Sequence, residues 1–219
     1  MKNRSTLANL TLSTLTLALM TSLVVLSERW WHAPLEIWGR MPAVAALVAG
    51  IAVLDASTYV AHRLMHRIPL LWRVHRVHHS DPFVDATTAF RQHPLETLVR
   101  FAFIVVPVCA LGIPPAIAVA YRAISAVNAL FEHSARSLPR GLEAVLVHVV
   151  VTPDMHKVHH SRDRNEADSN YGNIFSIFDR RFGTFMSSAC RSTVASGLEG
   201  HDGADQQRVL SLLRLPFEA

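Results

Sequence analysis

The sequence predicts an all-α integral membrane domain that carries a histidine-rich cap on its cytoplasmic side. Three observations lead there. Half of the 219 residues are hydrophobic, the mean hydropathy is +0.24 and only 17 % of residues are charged, below the roughly 25 % of an ordinary soluble domain. Several uncharged runs approach the about 20 residues that a helix needs to cross a bilayer. Thirteen histidines are present, and most crowd into polar segments between those runs.

The first run is uncharged from Ser5 to Ser27 and follows "MKNRS", which predicts a transmembrane helix near 6–27. A signal peptide is the competing reading, but the run is long and no small-x-small cleavage site precedes "ERWWHAP". Trp30 and Trp31 fit an interfacial aromatic belt. Residues 1–40 therefore form an N-terminal helix with its connecting loop.

The second run, "MPAVAALVAGIAVLDASTYVA", is uncharged except for Asp55 and continues into "HRLMHRIP". It predicts a helix over 41–67 that Pro69 stops. The third apolar stretch reads best as a hairpin, 94–112 and 114–132, turned by "GIPP". A hairpin returns His133 to the side that holds residues 62–93. Arg122 strains this reading, because an arginine within the bilayer is costly unless it is paired or faces a polar cavity. A short interfacial helix is expected at 138–151, then a second histidine block within 153–185, and a tail at 186–219 with an apolar cluster but no motif. The main body of the chain is thus placed at 41–185.

Lys and Arg number two before the first span, two in the loop after it, six in 62–100 and eight in 134–191. That distribution assigns the N-terminus and both histidine blocks to the cytoplasm. The net charge of +4 comes with only two lysines and no Lys-rich run, so no nucleic-acid partner is expected. Two cysteines exclude a disulfide scaffold.

"HRVHHSD" at 75–81 and "HKVHHSR" at 156–162 are near copies in unlike surroundings, which points to a shared chemical task. His62 and His66 are four apart at the end of a helix, so their rings share a face. His75, His78 and His79 repeat such spacing, and so do His156, His159 and His160. A lone histidine on an apolar face is more often packed or hydrogen-bonded than a ligand. Eight in three helical sets, with His133 as a ninth, would repel once protonated and call for metal. One structural zinc needs four ligands, whereas eight or nine suit two ions. Imidazole alone does not choose among iron, zinc, copper and nickel, although no HExxH zinc-peptidase signal occurs. Asp55, seven residues before His62, could accept a ring N–H from a ligand histidine, or serve only in helix packing. His93 could join the centre or support it.

These pieces together resemble the fatty acid hydroxylase and sterol desaturase superfamily over about 54–185. The resemblance rests on HxxxH, HxxHH and HxxHH in that order, with "FRQHPLE", "FEHS", "NYG" and D-x-x-FGT. It implies a cytoplasm-facing, non-haem di-iron site that uses dioxygen to hydroxylate or desaturate lipid C–H bonds. The ligands it implies are His62, His66, His75, His78, His79, His156, His159 and His160, with His133 as a further one. Asn170, in the turn "NYGN", could hydrogen-bond near the site or be purely structural; Asp179, Arg180 and Arg181 are assigned no catalysis. Ala135 stands where relatives commonly show a polar Asn, which blurs the substrate. No cytochrome or ferredoxin module is recognisable, so a separate electron-donor protein is expected. A membrane metal-dependent hydrolase, which would work without dioxygen, and a silent metal-binding scaffold are the alternative classes.

Overall fold

A computed structural model describes residues 2–27, 35–190 and 195–218; the Trp30–Trp31 pair assigned to the interface lies outside them. The described residues are helical apart from connecting loops and two isolated β-bridges.

Helix α1 (Lys2–Ser27) begins earlier than the uncharged run suggests. Its first turns are anchored to the rest of the domain: the Ser5 hydroxyl and Asn9 amide donate to Asp81 at 2.8 and 3.0 Å. After a short α2 (Glu36–Arg40), α3 (Ala43–Arg67) starts directly behind Pro42. Pro69 both follows the end of α3 and occupies the first turn of α4 (Pro69–His79), where its missing N–H costs nothing. This sharp restart sets the HxxxH and the first HxxHH on two adjoining helices.

Helix α5 (Pro94–Leu111) opens with Pro94 and closes on Gly112 at φ 56°, a left-handed position that suits glycine. Pro107 lies inside α5 and cannot donate to the carbonyl four residues back. That carbonyl, of Phe103, accepts the Ser57 hydroxyl of α3 at 2.5 Å instead. The chain then reverses into α6 (Pro115–Glu132). Gly50 permits the close approach of α3 and α6, since a Cβ there would stand 2.5 Å from Ile117 Cγ2.

The helix expected over 138–151 is shorter. α7 spans Arg140–Leu146, and after a turn through Val149 the chain pairs with 174–176. The Val151 N–H donates to the Ile174 carbonyl at 2.9 Å, and Val150 bridges Phe175. α8 (Pro153–His159) carries the second HxxHH, followed by α9 (Arg164–Ala167), α10 (Ile177–Arg181) and α11 (Val209–Arg214).

One apolar core joins α3, α5 and α6 through Leu54, Ile113, Ile117 and Tyr121. A second joins α1, α4 and the tail through Ala8, Leu12, Val77, Leu212 and Leu215, so residues 209–215 pack on the body. Among the described residues two helices, α3 and α5, are long and apolar enough to cross a membrane. α6, also expected to span, falls short of that measure, because Arg122, Asn128 and Glu132 dilute its apolar run.

Candidate metal centre

Nine buried histidines meet at one end of the helices. His62, His66, His75, His79 and His159 form one group, and His78, His133, His156 and His160 form another; within each, one ring nitrogen per residue lies within 4.8 Å of the rest. The groups adjoin, with the His79 and His160 rings stacked at 4.7 Å between centroids. Every histidine expected to bind metal is therefore placed in one of two groups able to hold an ion.

The hydrogen bonds on the outer side of the rings fix which nitrogen faces inward. The Nδ1–H of His62 donates to the Tyr171 carbonyl at 2.9 Å, that of His159 to Ser169 at 2.8 Å, and that of His133 to Ala129 at 2.7 Å. His78 Nδ1 faces the Arg91 carbonyl at 3.3 Å. A carbonyl can only accept, so in these rings the proton sits on Nδ1 and Nε2 keeps a lone pair. Carboxylates do the same work for two others: Glu96 accepts from His75 at 3.0 Å and Asp168 from His66 at 3.1 Å.

The inward nitrogens are then acceptors facing acceptors. His78 Nε2 and His133 Nε2 stand 3.2 Å apart, and His62 Nε2 and His75 Nε2 3.1 Å apart. Neither pair can share a hydrogen bond when both Nδ1 atoms hold the protons. His66, His79 and His159 leave Nε2 buried with no partner. A cation resolves both problems, and nitrogens bound to one metal at about 2.1 Å stand roughly 3 Å apart. The donor set thus fits a metal in each group. Burial holds His133 down to about 4 and His159 down to about 3, while the carbonyl bonds push the other way. The rings stay neutral and available as ligands at neutral pH.

Three residues expected to support the centre are placed elsewhere. Asp55 is fully buried but accepts the backbone N–H groups of Ile174 and Phe175 and the Asn173 amide, at 3.1, 2.9 and 3.0 Å; it has no bond to a histidine. Three correctly spaced donors on the 173–175 loop outcompete the helical neighbour His62, whose Nδ1 turns to Tyr171. His93 caps α5, accepting from the Leu95 N–H at 3.1 Å, and its Nε2 meets the Leu213 carbonyl at 3.2 Å. Asn170 takes φ 54° and ties the Met155 and Met186 carbonyls at 2.9 Å each. It is the turn's structural residue, and its neighbours Asp168, Ser169 and Tyr171 touch the ligands.

The D-x-x-FGT segment closes the same turn. Asp179 accepts the N–H groups of Tyr171 and Gly172 at 2.8 and 2.7 Å and the Thr184 hydroxyl at 2.7 Å. A Cβ on Gly172 would lie 2.9 Å from Asp179 Oδ2, so the glycine of "NYG" lets backbone reach carboxylate. Glu96, in "HPLE", escaped the sequence reading although it adjoins His93; its signal is a carboxylate just inside a helix start that faces the histidine blocks.

A cavity of about 280 Å³ is lined by His62, His78, His133 and His156 together with residues of α1, α5 and α6. Ser13, Thr16, Leu17 and Met20 of α1 line one wall, at the spacing of a single helical face. Glu132, Arg100 and Arg122 also face it.

The fatty acid hydroxylase family model matches residues 47–184, a stretch that holds all nine histidines. The chain belongs to the fatty acid hydroxylase family. Among curated relatives, the chain is similar to the ornithine lipid hydroxylase OlsE of Rhizobium tropici, at 31 % identity over 74 % of this chain and 48 % of that protein. It is also similar to alkylglycerol monooxygenase of Caenorhabditis elegans, at 33 % identity over 60 % of this chain and 25 % of that protein. Methylsterol monooxygenase 1 of Gallus gallus is 29 % identical over 71 % of this chain and 52 % of its own length. The chain thus spans half or less of the length of the first two relatives. No solved structure matches it significantly.

Proposed function

We propose that this fatty acid hydroxylase family member holds two non-haem iron ions and uses dioxygen to oxidise a C–H bond of a lipid, by hydroxylation or desaturation. One observation carries the reading: unprotonated Nε2 atoms converge in two adjoining groups, and His62, His78, His133 and His156 of these groups line a cavity that α1, α5 and α6 help to enclose. Its relatives' names, a lipid hydroxylase and monooxygenases, support the reaction class.

Iron bound there would supply dioxygen activation and the oxidising power for an unreactive C–H bond. The chain's own residues do the rest. Glu96, Asp168 and the carbonyls of Tyr171, Ser169, Ala129 and Arg91 fix each ring's tautomer and direction. Leu17, Met20 and Ile104 offer apolar walls for a lipid chain, which orients one carbon toward His62, His78, His133 and His156. A separate electron-donor protein supplies reducing equivalents, and the arginine distribution supports a cytoplasmic histidine end.

The test is to incubate the purified, iron-loaded chain with membrane lipid extract, a reductant and isotopically labelled dioxygen. Label in a hydroxylated lipid marks hydroxylation, and an unlabelled new double bond marks desaturation. Lipid turnover that persists without dioxygen, or in His78→Ala, would overturn the reading.

A further inference from the structure

Trp72 stands early in α4 and shares a helical face with His75 and His79. Its indole meets the rings of His66, His75 and His79 at 5.0, 6.3 and 5.3 Å between centroids. All three histidines belong to the group of five, and none of them lines the cavity. The cavity wall takes His78, His133 and His156 from the group of four and His62 alone from the group of five. Trp72 is only partly buried. Its ring is therefore a short aromatic bridge from the surface to the metal centre, reaching ligands that the cavity does not. His79 also stacks on His160, so the same bridge continues into the group of four.

The surface around the indole is cationic. Exposed Arg164 holds its guanidinium 4.1 Å from the Trp72 ring centroid, a cation–π contact. Arg164 also donates to Asp168 at 3.0 Å and to the His66 carbonyl at 2.8 Å. The Asp168 charge is thereby already matched, with Arg164 on one oxygen while the other accepts from His66. Residues 62–79 carry four arginines and no acid. Of these, Arg67 and Arg73 are exposed on either side of the joint between α3 and α4. An anionic lipid surface would suit such cations too, but it has no use for an indole packed on three ligand rings.

We propose that Trp72, framed by Arg67, Arg73 and Arg164, is the electron-entry face, where a small acidic one-electron carrier of the ferredoxin class docks. Each docked donor is oxidised by one electron and one bound ferric ion is reduced to ferrous, with no bond or proton exchanged. The indole undergoes no net redox change; its π system shortens the gap between the donor and His66, His75 and His79. Complementary charge steers the carrier onto this face. The ligands behind it are not those that meet the cavity, so donor and lipid do not compete. The inference rests on the proposed oxidation for the need of a reductant, but docking and reduction are measurable without any lipid.

The experiment uses the full, iron-loaded, oxidised chain in uncharged detergent. A plant-type ferredoxin is the acidic probe and a basic c-type cytochrome its counter-probe. Binding is measured at low and high salt, and reduction of the iron by stopped-flow absorbance without oxygen, with dithionite as a small reductant for comparison. Bound iron and melting temperature are recorded for each variant. Wild type should bind ferredoxin, lose it as salt rises, and leave the cytochrome unbound. Arg67→Glu combined with Arg73→Glu should weaken ferredoxin about ten-fold or more at low salt, while dithionite still reduces the iron at the wild-type rate. Trp72→Leu should bind ferredoxin as tightly as wild type yet lose most of the ferredoxin-driven rate, and Trp72→Phe should recover part of it. Failure of wild type to bind ferredoxin, or equal binding of ferredoxin and cytochrome, overturns the face even where a variant fails to fold. Undiminished ferredoxin binding in the folded arginine variant overturns it as well, including the case in which that variant instead loses binding to anionic phospholipid. So does a wild-type ferredoxin-driven rate in iron-loaded Trp72→Leu. Docking and reduction with no oxidation of any lipid support the face and count only against the proposed reaction.

Discussion

At the residue scale, each inward Nε2 belongs to one group or the other, so single ligand losses should be separable. His159→Ala removes a nitrogen from the group of five and His78→Ala one from the group of four. With the two ions proposed for wild type, each variant should retain about one ion per chain, as read by metal analysis on folded protein. Wild-type metal content in both variants would remove their ligand role. Asp55→Asn is expected to behave differently, because Asp55 holds the 173–175 loop and no histidine. Replacing an accepting oxygen by an amide that faces backbone N–H groups should cost about 1–3 kcal/mol and leave the metal count unchanged. A loss of metal from a fully stable Asp55→Asn protein would contradict the placement. Acidity acts at this scale too. Burial lowers His78, His79, His156 and His160 as well as His133 and His159. Unfolded histidine titrates near 6.5, so the depressed folded values contribute stability that is present above about 6.5 and lost as pH falls toward 4 and 3. The metal-free protein should therefore melt progressively lower between about pH 7 and 4, and a flat melting temperature across that range would refute the sign.

At the element scale, the joint between α3 and α5 depends on an exchange of hydrogen bonds. Pro107 deprives the Phe103 carbonyl of its helical donor, and Ser57 replaces it. Ser57→Ala should cost about 1 kcal/mol or more by leaving that carbonyl unmatched. Adding Pro107→Ala, which restores the helical N–H, should make the Ser57 change nearly neutral. Thermal or denaturant stability of the four proteins in the cycle checks this, and equal costs of Ser57→Ala in both backgrounds would deny the coupling. The restart at Pro69 matters for a different reason. It breaks one long helix into α3 and α4, and only that break lets His62 and His66 face His75 and His79 across a single group.

At the whole-molecule scale, the N-terminal turns of α1 lie beside the histidine end. Asp81 gathers Ser5, Asn9 and Thr88, and the fully buried Arg91 bonds Asn9, Ser80 and Gln207. Burial would raise the Asp81 carboxyl, but the Arg91 guanidinium and these donors more than offset it and hold it below its ordinary value. The proposed orientation follows: cysteines introduced at the exposed positions Arg73 and Arg136 should label from the cytoplasm, and one at Leu111 from the opposite side. Labelling of Arg73 and Leu111 positions from the same side would reject a membrane-crossing α5. Exposed apolar side chains such as Val48, Val106 and Leu111 on α3 and α5 suit a lipid boundary.

The long helices and the ligand list were legible because their signals are local. Apolar run length marks α3 and α5, Pro69 and Gly112 mark their ends, and i, i+3 and i, i+4 spacing places histidines on common faces. The family resemblance rests on that same short-range spacing. The division of nine histidines into five and four was not legible, since it interleaves neighbours: His78 and His79 go to different groups, as do His159 and His160. The partners of the ligands were hidden for the same reason. Asp55 was chosen because it shares a helical face with His62, yet the loop 173–175, 118 or more residues away in sequence, captures it. Glu96, Asp168 and four bare carbonyls took the role instead. A backbone carbonyl has no side-chain identity to read, and a hydrogen-bond partner is selected by whichever donor or acceptor the packed helices bring within reach. The sequence by itself therefore determined which nitrogens could bind metal; only the tertiary structure decided which of them share an ion and what holds each ring in place.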